Sequence, residues 1–398
     1  MIPNQKVNKG LIVFGTIIIQ IGLGTIYTWS LFNQPLADKF GWKLSSVAIT
    51  FSITSFALAL ATLFAGRLQE KWGLRRLIAL AGLVLGTGLV ASSFASSLMV
   101  LYITAGIVVG FADGLAYITS LSNLIKWFPE RKGLISGISV SAYGMGSLLF
   151  KYINTWLLNN VGASQTFLYW GIIVMAMVVV GSRFIRESSE TVETNVSSLK
   201  DSNNYTVKEM MRTREVYLLF IMFFTACMSG LYLISIAKDV GVKLAGLDVV
   251  TAGNAVAMIA IFNTFGRLIL GALSDKIGRM KVIAFNFFVT AAAVLVLSLG
   301  NIRYGLFFAC VAGIAFCFGG NITVFPAIVG DYFGLKNHSK NYSIVYQGFG
   351  LGALSGAFIG AIINGFKPTF MIIAILCIVS FIIALRVKPP IARSGNPV

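Results

Sequence analysis

Three ionisable side chains, Asp113, Lys151 and Arg267, stand inside long apolar runs of the chain. A charge at the middle of a bilayer costs a few kcal/mol, so such a group has either a partner or a task. Arg267 lies eight residues before Asp275. On a helix that spacing carries it about 12 Å inward, close to the midplane of a roughly 30 Å apolar layer. A guanidinium there keeps its charge and presents a planar fork that matches a carboxylate. It would serve either to bind a small anion or to pair with a carboxylate on a neighbouring helix. The residue one turn away, Asn263, is not acidic, which favours the first. Asp113 and Lys151 fall on consecutive antiparallel runs, about 24 and 28 Å from the inner surface by residue count. They are expected either to pair with each other or to act separately, Lys151 attracting an anion and Asp113 taking a proton.

Polar and aromatic residues accompany these groups: Gln20, Tyr27 and Trp29 in the first run, Tyr117 in the fourth, Tyr143 in the fifth, Phe325 in the tenth and Tyr346 in the eleventh. Hydroxyls and rings suit a small, dry site that orients a carboxylate. Each residue alone also fits packing or an interface belt. Gly106-x3-Gly110-x3-Gly114 and Gly144-x-Gly146 mark places where helices approach closely. The parts of an enzyme are missing. The single His338 falls in a loop, and Cys227, Cys310, Cys317 and Cys377 fall in apolar runs and read as packing residues. No nucleophile–base pair, cofactor loop or metal set is recognisable, so neither catalysis, a cofactor nor a metal is expected.

These residues must be positioned by membrane helices. Of the 398 residues, 57% are hydrophobic and only 11% charged, against about 25% charged in a soluble protein. Twelve runs are long enough to span: 10–32, 45–66, 76–96, 98–126, 133–158, 165–185, 215–237, 249–273, 280–300, 303–331, 340–364 and 367–386. The first is too long for a signal-peptide core and lacks a cleavage site, so it is read as a span. Net charge is +17, and 23 of the 31 Lys and Arg residues fall in the loops that would share one side. The positive-inside rule predicts both termini in the cytoplasm of a multi-pass protein of the bacterial inner membrane. The charge then reports topology rather than nucleic acid, and no nucleic-acid partner is expected.

The chain also repeats. Gly66-Arg67-Leu68-Gln69-Glu70-Lys71-Trp72-Gly73 follows the second span, and Gly271-Ala272-Leu273-Ser274-Asp275-Lys276-Ile277-Gly278-Arg279 follows the eighth, 205 residues on. The same offset carries Phe111 onto Phe316, Gly114 onto Gly319 and Phe128 onto Phe333. Residues 186–214, rich in Ser, Thr, Asn and charge, read as a cytoplasmic linker between two six-helix bundles, 1–185 and 215–398.

The two loops resemble the major-facilitator signature G-x-L-a-D-r-x-G-r-[KR]. The second copy is close to it, whereas in the first Gln69 stands in the acidic place and Glu70 follows it. The resemblance implies an all-α membrane protein of the major facilitator fold, with Gly66, Arg67, Glu70, Arg75, Gly271, Asp275 and Arg279 as a conformational latch. More narrowly, the whole chain resembles the oxalate/formate antiporter family. The carrying segments are Gly24-Thr25-Ile26-Tyr27-Thr28-Trp29-Ser30-Leu31-Phe32, Gly106-x3-Gly110-x3-Gly114-x2-Tyr117, Lys126-Trp127-Phe128-Pro129-Glu130-Arg131-Lys132-Gly133, Asn263-x3-Arg267, and Gly319-Gly320-x5-Pro326-x4-Asp331-Tyr332-Phe333-Gly334-x2-Asn337-x3-Asn341-Tyr342. Asp113 and Lys151, each after a Phe-containing segment, further resemble the branch that holds a pyruvate-inducible transporter.

The resemblance implies that Arg267 binds a substrate carboxylate. It also implies a second cation in span eleven for oxalate, at a place taken here by Phe349. A single central cation points to a monocarboxylate such as pyruvate, lactate or formate, moved by antiport or with protons. The expected binding set is Arg267, Lys151, Tyr27, Tyr117, Tyr143, Tyr346, Asn263 and Gln20, with Asp113 the coupling candidate. Proton-coupled relatives place an Asp where Asn263 stands, so coupling is expected elsewhere. A monomer in the lipid bilayer is expected. The alternatives are an oxalate/formate-type dicarboxylate exchanger, a carboxylate sensor, and a drug or cation exporter of the same fold.

Overall fold

The computed structural model describes residues 8–188, 204–299, 302–363 and 366–390, and every regular element among them is helical. The first helix, α1 (Lys9–Phe40), tightens into a 3₁₀ turn at Thr25–Trp29. There follow α2 (Leu44–Trp72), α3 (Leu74–Ser92) and α4 (Leu98–Trp127), the last carrying a widened π turn at Tyr102–Val108. The fifth and sixth expected spans form one rod, Lys132–Phe184, broken only where Gly162 takes φ 75°. That left-handed conformation costs glycine little, and it divides the rod into α5 (132–161) and α6 (163–184). The second set is α7 (Arg214–Ala245), α8 (Val249–Ile277), α9 (Arg279–Leu299), α10 (Tyr304–Phe333), α11 (His338–Ile363) and α12 (Phe366–Arg386).

The repeat seen in the chain is also a repeat of packing. Gly114 on α4 lies so close to α2 that an added Cβ would stand 2.1 Å from the Leu58 carbonyl oxygen. Gly319 on α10, 205 residues later, meets the Asn263 carbonyl of α8 at the same 2.1 Å. Without a hydrophobic force between helices in lipid, such close backbone approach carries much of the association. Apolar side chains such as Leu80 and Val84 on α3 and Phe285 and Phe288 on α9 are turned outward, as a lipid-facing surface requires.

The loops α2–α3, α4–α5, α8–α9 and α10–α11 meet at one end of the bundle, the basic end. Both ends of the described chain lie there too: Lys9 Nζ stands 5.5 Å from the Phe128 ring, and Tyr332 donates to the Val387 carbonyl. Most of the expected linker falls on 189–203, outside the described residues. Its two flanks are tied down, one on each half. The Arg186 carbonyl accepts from Asn123 and Trp127 at 3.1 and 2.9 Å. The Tyr205 carbonyl accepts from Asn337 and Asn341 at 3.0 and 2.9 Å.

Candidate functional site

Arg267 is held on α8 against the facing α5. Its Nη1 donates to the Val140 carbonyl oxygen at 2.5 Å, so a side chain of the second half is bonded to backbone of the first. Glycines make this possible. A Cβ on Gly144 would stand 2.7 Å from Nη1, and one on Gly137 would stand 2.7 Å from the Arg267 carbonyl. The guanidinium is buried, at 7% exposure. No carboxylate lies within 4.0 Å of it among the described residues, and its Nε is buried without a partner. A buried cation without a counter-charge costs several kcal/mol, and an incoming carboxylate would offset that cost.

Around it runs a band of aromatic rings drawn from both halves. Tyr27 meets Tyr143 at 5.5 Å between centroids, Tyr143 meets Tyr117 at 5.3 Å, and Tyr117 meets Tyr346 at 5.4 Å. Tyr346 continues to Phe349, Tyr342 and Phe223 at 5.2, 5.5 and 6.0 Å. Tyr27, Tyr117, Tyr143 and Tyr346 are also the tyrosines that face the Arg267 charge. Asp113 is fully buried on α4; Tyr143 donates to its Oδ1 at 3.2 Å and its Oδ2 has no partner. The structure therefore joins Arg267, Asp113 and the four expected tyrosines.

Other expected members stand apart. Lys151 is exposed, with Nζ 5.9 Å from the centroid of Tyr152, and the Asp113–Lys151 pair considered from the sequence does not form. Eight residues along α5 turn the helix by about 80° beyond two full turns, so Tyr143 and Lys151 occupy different faces. Asn263 donates to the Ala315 carbonyl at 3.1 Å and fastens α8 to α10. Gln20 donates to Ser120 Oγ at 3.1 Å and to the Tyr117 carbonyl at 3.4 Å, bracing the helix behind Tyr117. Trp29 stacks in a ring cluster with Phe32 and Phe167, and Phe325 packs on Phe223.

The loops at the basic end close the seam between the halves. Asp275 accepts from the Gly133 and Leu134 backbone N–H groups at 2.9 and 2.8 Å, capping the start of α5 in the other half. Arg279 holds Asp275 at 2.8 Å and also pairs with Asp331, which Lys132 reaches at 2.7 Å. Counted at the 205-residue offset, Glu70, not Gln69, stands opposite Asp275, which corrects the reading of the first loop. Glu70 pairs with Lys340 at the start of α11, whereas Gln69 donates to Glu187 at 2.7 Å. Gly66 and Gly271 admit the facing helix, since added Cβ atoms would stand 2.4 Å from Lys340 Cγ and 2.6 Å from the Gly133 carbonyl. Arg67 is exposed and takes no part; Arg75 binds the Ile185 carbonyl of its own half.

Sequence reasoning missed His338. It is fully buried, with Nδ1 3.0 Å from Ser122 Oγ on α4 and Nε2 2.8 Å from the Pro326 carbonyl on α10. The carbonyl can only accept, so Nε2 donates and Nδ1 accepts from Ser122. The offset carries Gly133, the start of α5, onto His338, the start of α11, and that signal could have found it.

The family model described as Major Facilitator Superfamily matches residues 12–310 and again 228–397. The chain belongs to the major facilitator superfamily. It is 45% identical over 88% of its length to the uncharacterized MFS-type transporter YhjX of Escherichia coli K12, covering 87% of that protein. It is 28% identical to the oxalate:formate antiporter of Oxalobacter formigenes, over 97% of this chain and 92% of that one. It is 24% identical to apicoplast pyruvate carrier 1 of Toxoplasma gondii, over 84% and 80%. The solved proton:xylose symporter XylE shares the fold, with a TM-score of 0.74 over 95% of each chain at 13% identity. The chain is thus a multi-pass membrane transporter and not an enzyme. The aromatic band and Arg267 lie where the two halves meet.

Proposed function

We propose that this transporter carries a small monocarboxylate, pyruvate-, lactate- or formate-like, across the bacterial inner membrane. The two bundles, 1–185 and 215–398, alternate about the level of Arg267, with the basic end and both termini in the cytoplasm. The observation that carries the reading is the buried Arg267 guanidinium, bonded only to a backbone carbonyl and unneutralised by any described carboxylate. A substrate carboxylate supplies the missing charge and is bound strongly in so dry a place. Two of the relatives are named for carboxylates, an oxalate:formate antiporter and a pyruvate carrier, which supports the same class.

One cation favours one carboxylate. The place of a second cation in oxalate carriers is taken by Phe349, which stacks on Tyr346 at 5.2 Å with 15° between the rings. Asp113 serves as the coupling group. Its free Oδ2 can take a proton without breaking an ion pair, and Tyr143 links it to the band that touches the substrate.

Counterflow in proteoliposomes with labelled pyruvate, lactate, formate and oxalate, at two pH values and with or without a proton gradient, tests this. Saturable exchange of a monocarboxylate supports it, and stimulation by the gradient assigns proton symport rather than antiport. Faster exchange of oxalate would assign a dicarboxylate exchanger. Binding without flux would make the protein a sensor, and transport of lipophilic cations alone would make it an exporter.

A further inference from the structure

A groove of about 440 Å³ opens at the basic end, between the α2–α3 turn and the chain leaving α6. Arg75, Arg76 and Arg186 line it beside Trp72 and Glu187. The carboxylate that could neutralise the arginines is committed elsewhere: Glu187 accepts from Gln69 at 2.7 Å and from the Leu74 backbone N–H at 3.4 Å, and it lies within 4.0 Å of none of the three guanidiniums. The Arg76 and Arg186 side chains have no hydrogen-bond partner among the described residues. Arg75 spends two donors on the Ile185 carbonyl, leaving three of its five free.

The depth of the groove says what it would meet. α3 and α6 are packed closely, with an added Cβ on Gly86 standing 2.8 Å from the Gly171 carbonyl. The pair faces lipid through Leu80, Val84, Ile172 and Val180. The groove caps that apolar strip, and Trp72, 41% exposed, stands at its rim as indoles do at the headgroup level. Acyl chains lying along α3 and α6 would bring their phosphates to these arginines. The other half lacks the arrangement: at the 205-residue offset Arg75 and Arg76 become Met280 and Lys281.

We propose that this groove binds the headgroup of an anionic phospholipid, with Arg75, Arg76 and Arg186 on the phosphate and the acyl chains against α3 and α6. The site is separate from the central one and does not depend on what the protein transports.

Native mass-spectrometric titration of the full-length protein with phosphatidylglycerol, phosphatidylethanolamine and inorganic phosphate tests it. A juxtamembrane arginine contributes about a fivefold gain in binding to anionic lipid. Arg76→Ala/Arg186→Ala should therefore weaken phosphatidylglycerol binding by about 25-fold, and the single Arg76→Gln by about fivefold. Lys281→Ala/Arg386→Ala, which removes the same charge at the other half, should leave it within about twofold. Equal weakening by both pairs, equally tight phosphatidylethanolamine, or displacement of the lipid by millimolar phosphate would each overturn the proposal. The first would indicate diffuse attraction, the second binding through the acyl chains or the phosphate that both lipids share, and the third a site for soluble anions.

Discussion

Arg267 on α8 and Val140 on α5 are joined by a 2.5 Å hydrogen bond from guanidinium Nη1 to backbone carbonyl, so the central cation of one half is held by the main chain of the other. A carboxylate arriving at that guanidinium changes the charge at the seam itself. Under the function proposed above, binding and the relative movement of the halves act on one side chain.

The space that Arg267 occupies depends on Gly144. Gly144→Ala would set a Cβ 2.7 Å from Nη1 and 3.4 Å from Cζ, and the guanidinium must retreat. Losing one charge-assisted hydrogen bond costs about 1.5–3 kcal/mol, so KM in monocarboxylate counterflow should rise roughly 10- to 100-fold. Protein yield should stay close to that of the parent, while loss of the Arg267–Val140 bond should lower thermal stability in detergent.

Asp113 and Tyr143 offer a separable function. Asp113→Asn keeps the size of the side chain and the contact with Tyr143 but cannot exchange a proton. Counterflow should persist, while uptake driven by an imposed proton gradient should fall to the level seen without the gradient. Equal loss of both would assign Asp113 to folding or to substrate binding.

Lys151 makes the opposite case. It is exposed and outside the aromatic band, and exposed substitutions away from packed features change stability by about 0.5 kcal/mol or less. Lys151→Gln should leave KM within about twofold of the parent for every carboxylate transported.

Asp275 caps α5 and holds Arg279, which makes it the expected centre of a seal at the basic end. Asp275→Asn removes the negative charge from the α5 N-terminus, where it is favoured by the helix dipole, and weakens charge-assisted bonds. A cysteine introduced at the buried Ser136 should then react with maleimide roughly tenfold faster from the basic end, the effect of about 1.4 kcal/mol. An unchanged rate would remove Asp275 from the seal.

Much of this was legible in the chain. A charge inside an apolar run stands out whatever its neighbours, which is why Arg267 and Asp113 draw notice from the chain alone, and the 205-residue offset exposed the paired loops. What escaped depends on tertiary approach. Val140 contributes a backbone oxygen that every residue type owns. Gly144 matters only because α8 crosses there. Lys151 stood out by type, but its direction follows from the helical turn of α5. Asn263, four residues from Arg267, was expected in the binding set, and only the fold shows that its amide donates to the Ala315 carbonyl of α10. Gln69 and Glu70 were confused because neighbouring residues differ by one place in sequence and by about 100° around a helix.

Arg267 is the group proposed to receive the substrate carboxylate. The direct measurement is counterflow of labelled pyruvate, lactate and formate by Arg267→Gln and Arg267→Lys in proteoliposomes, with reconstituted protein quantified and its fold checked by thermal unfolding. Folded protein with no exchange above empty vesicles is expected for Arg267→Gln, and severely reduced exchange for Arg267→Lys, whose point charge lacks the fork. Folded Arg267→Gln protein that exchanges a monocarboxylate at the parental rate and KM would contradict that role.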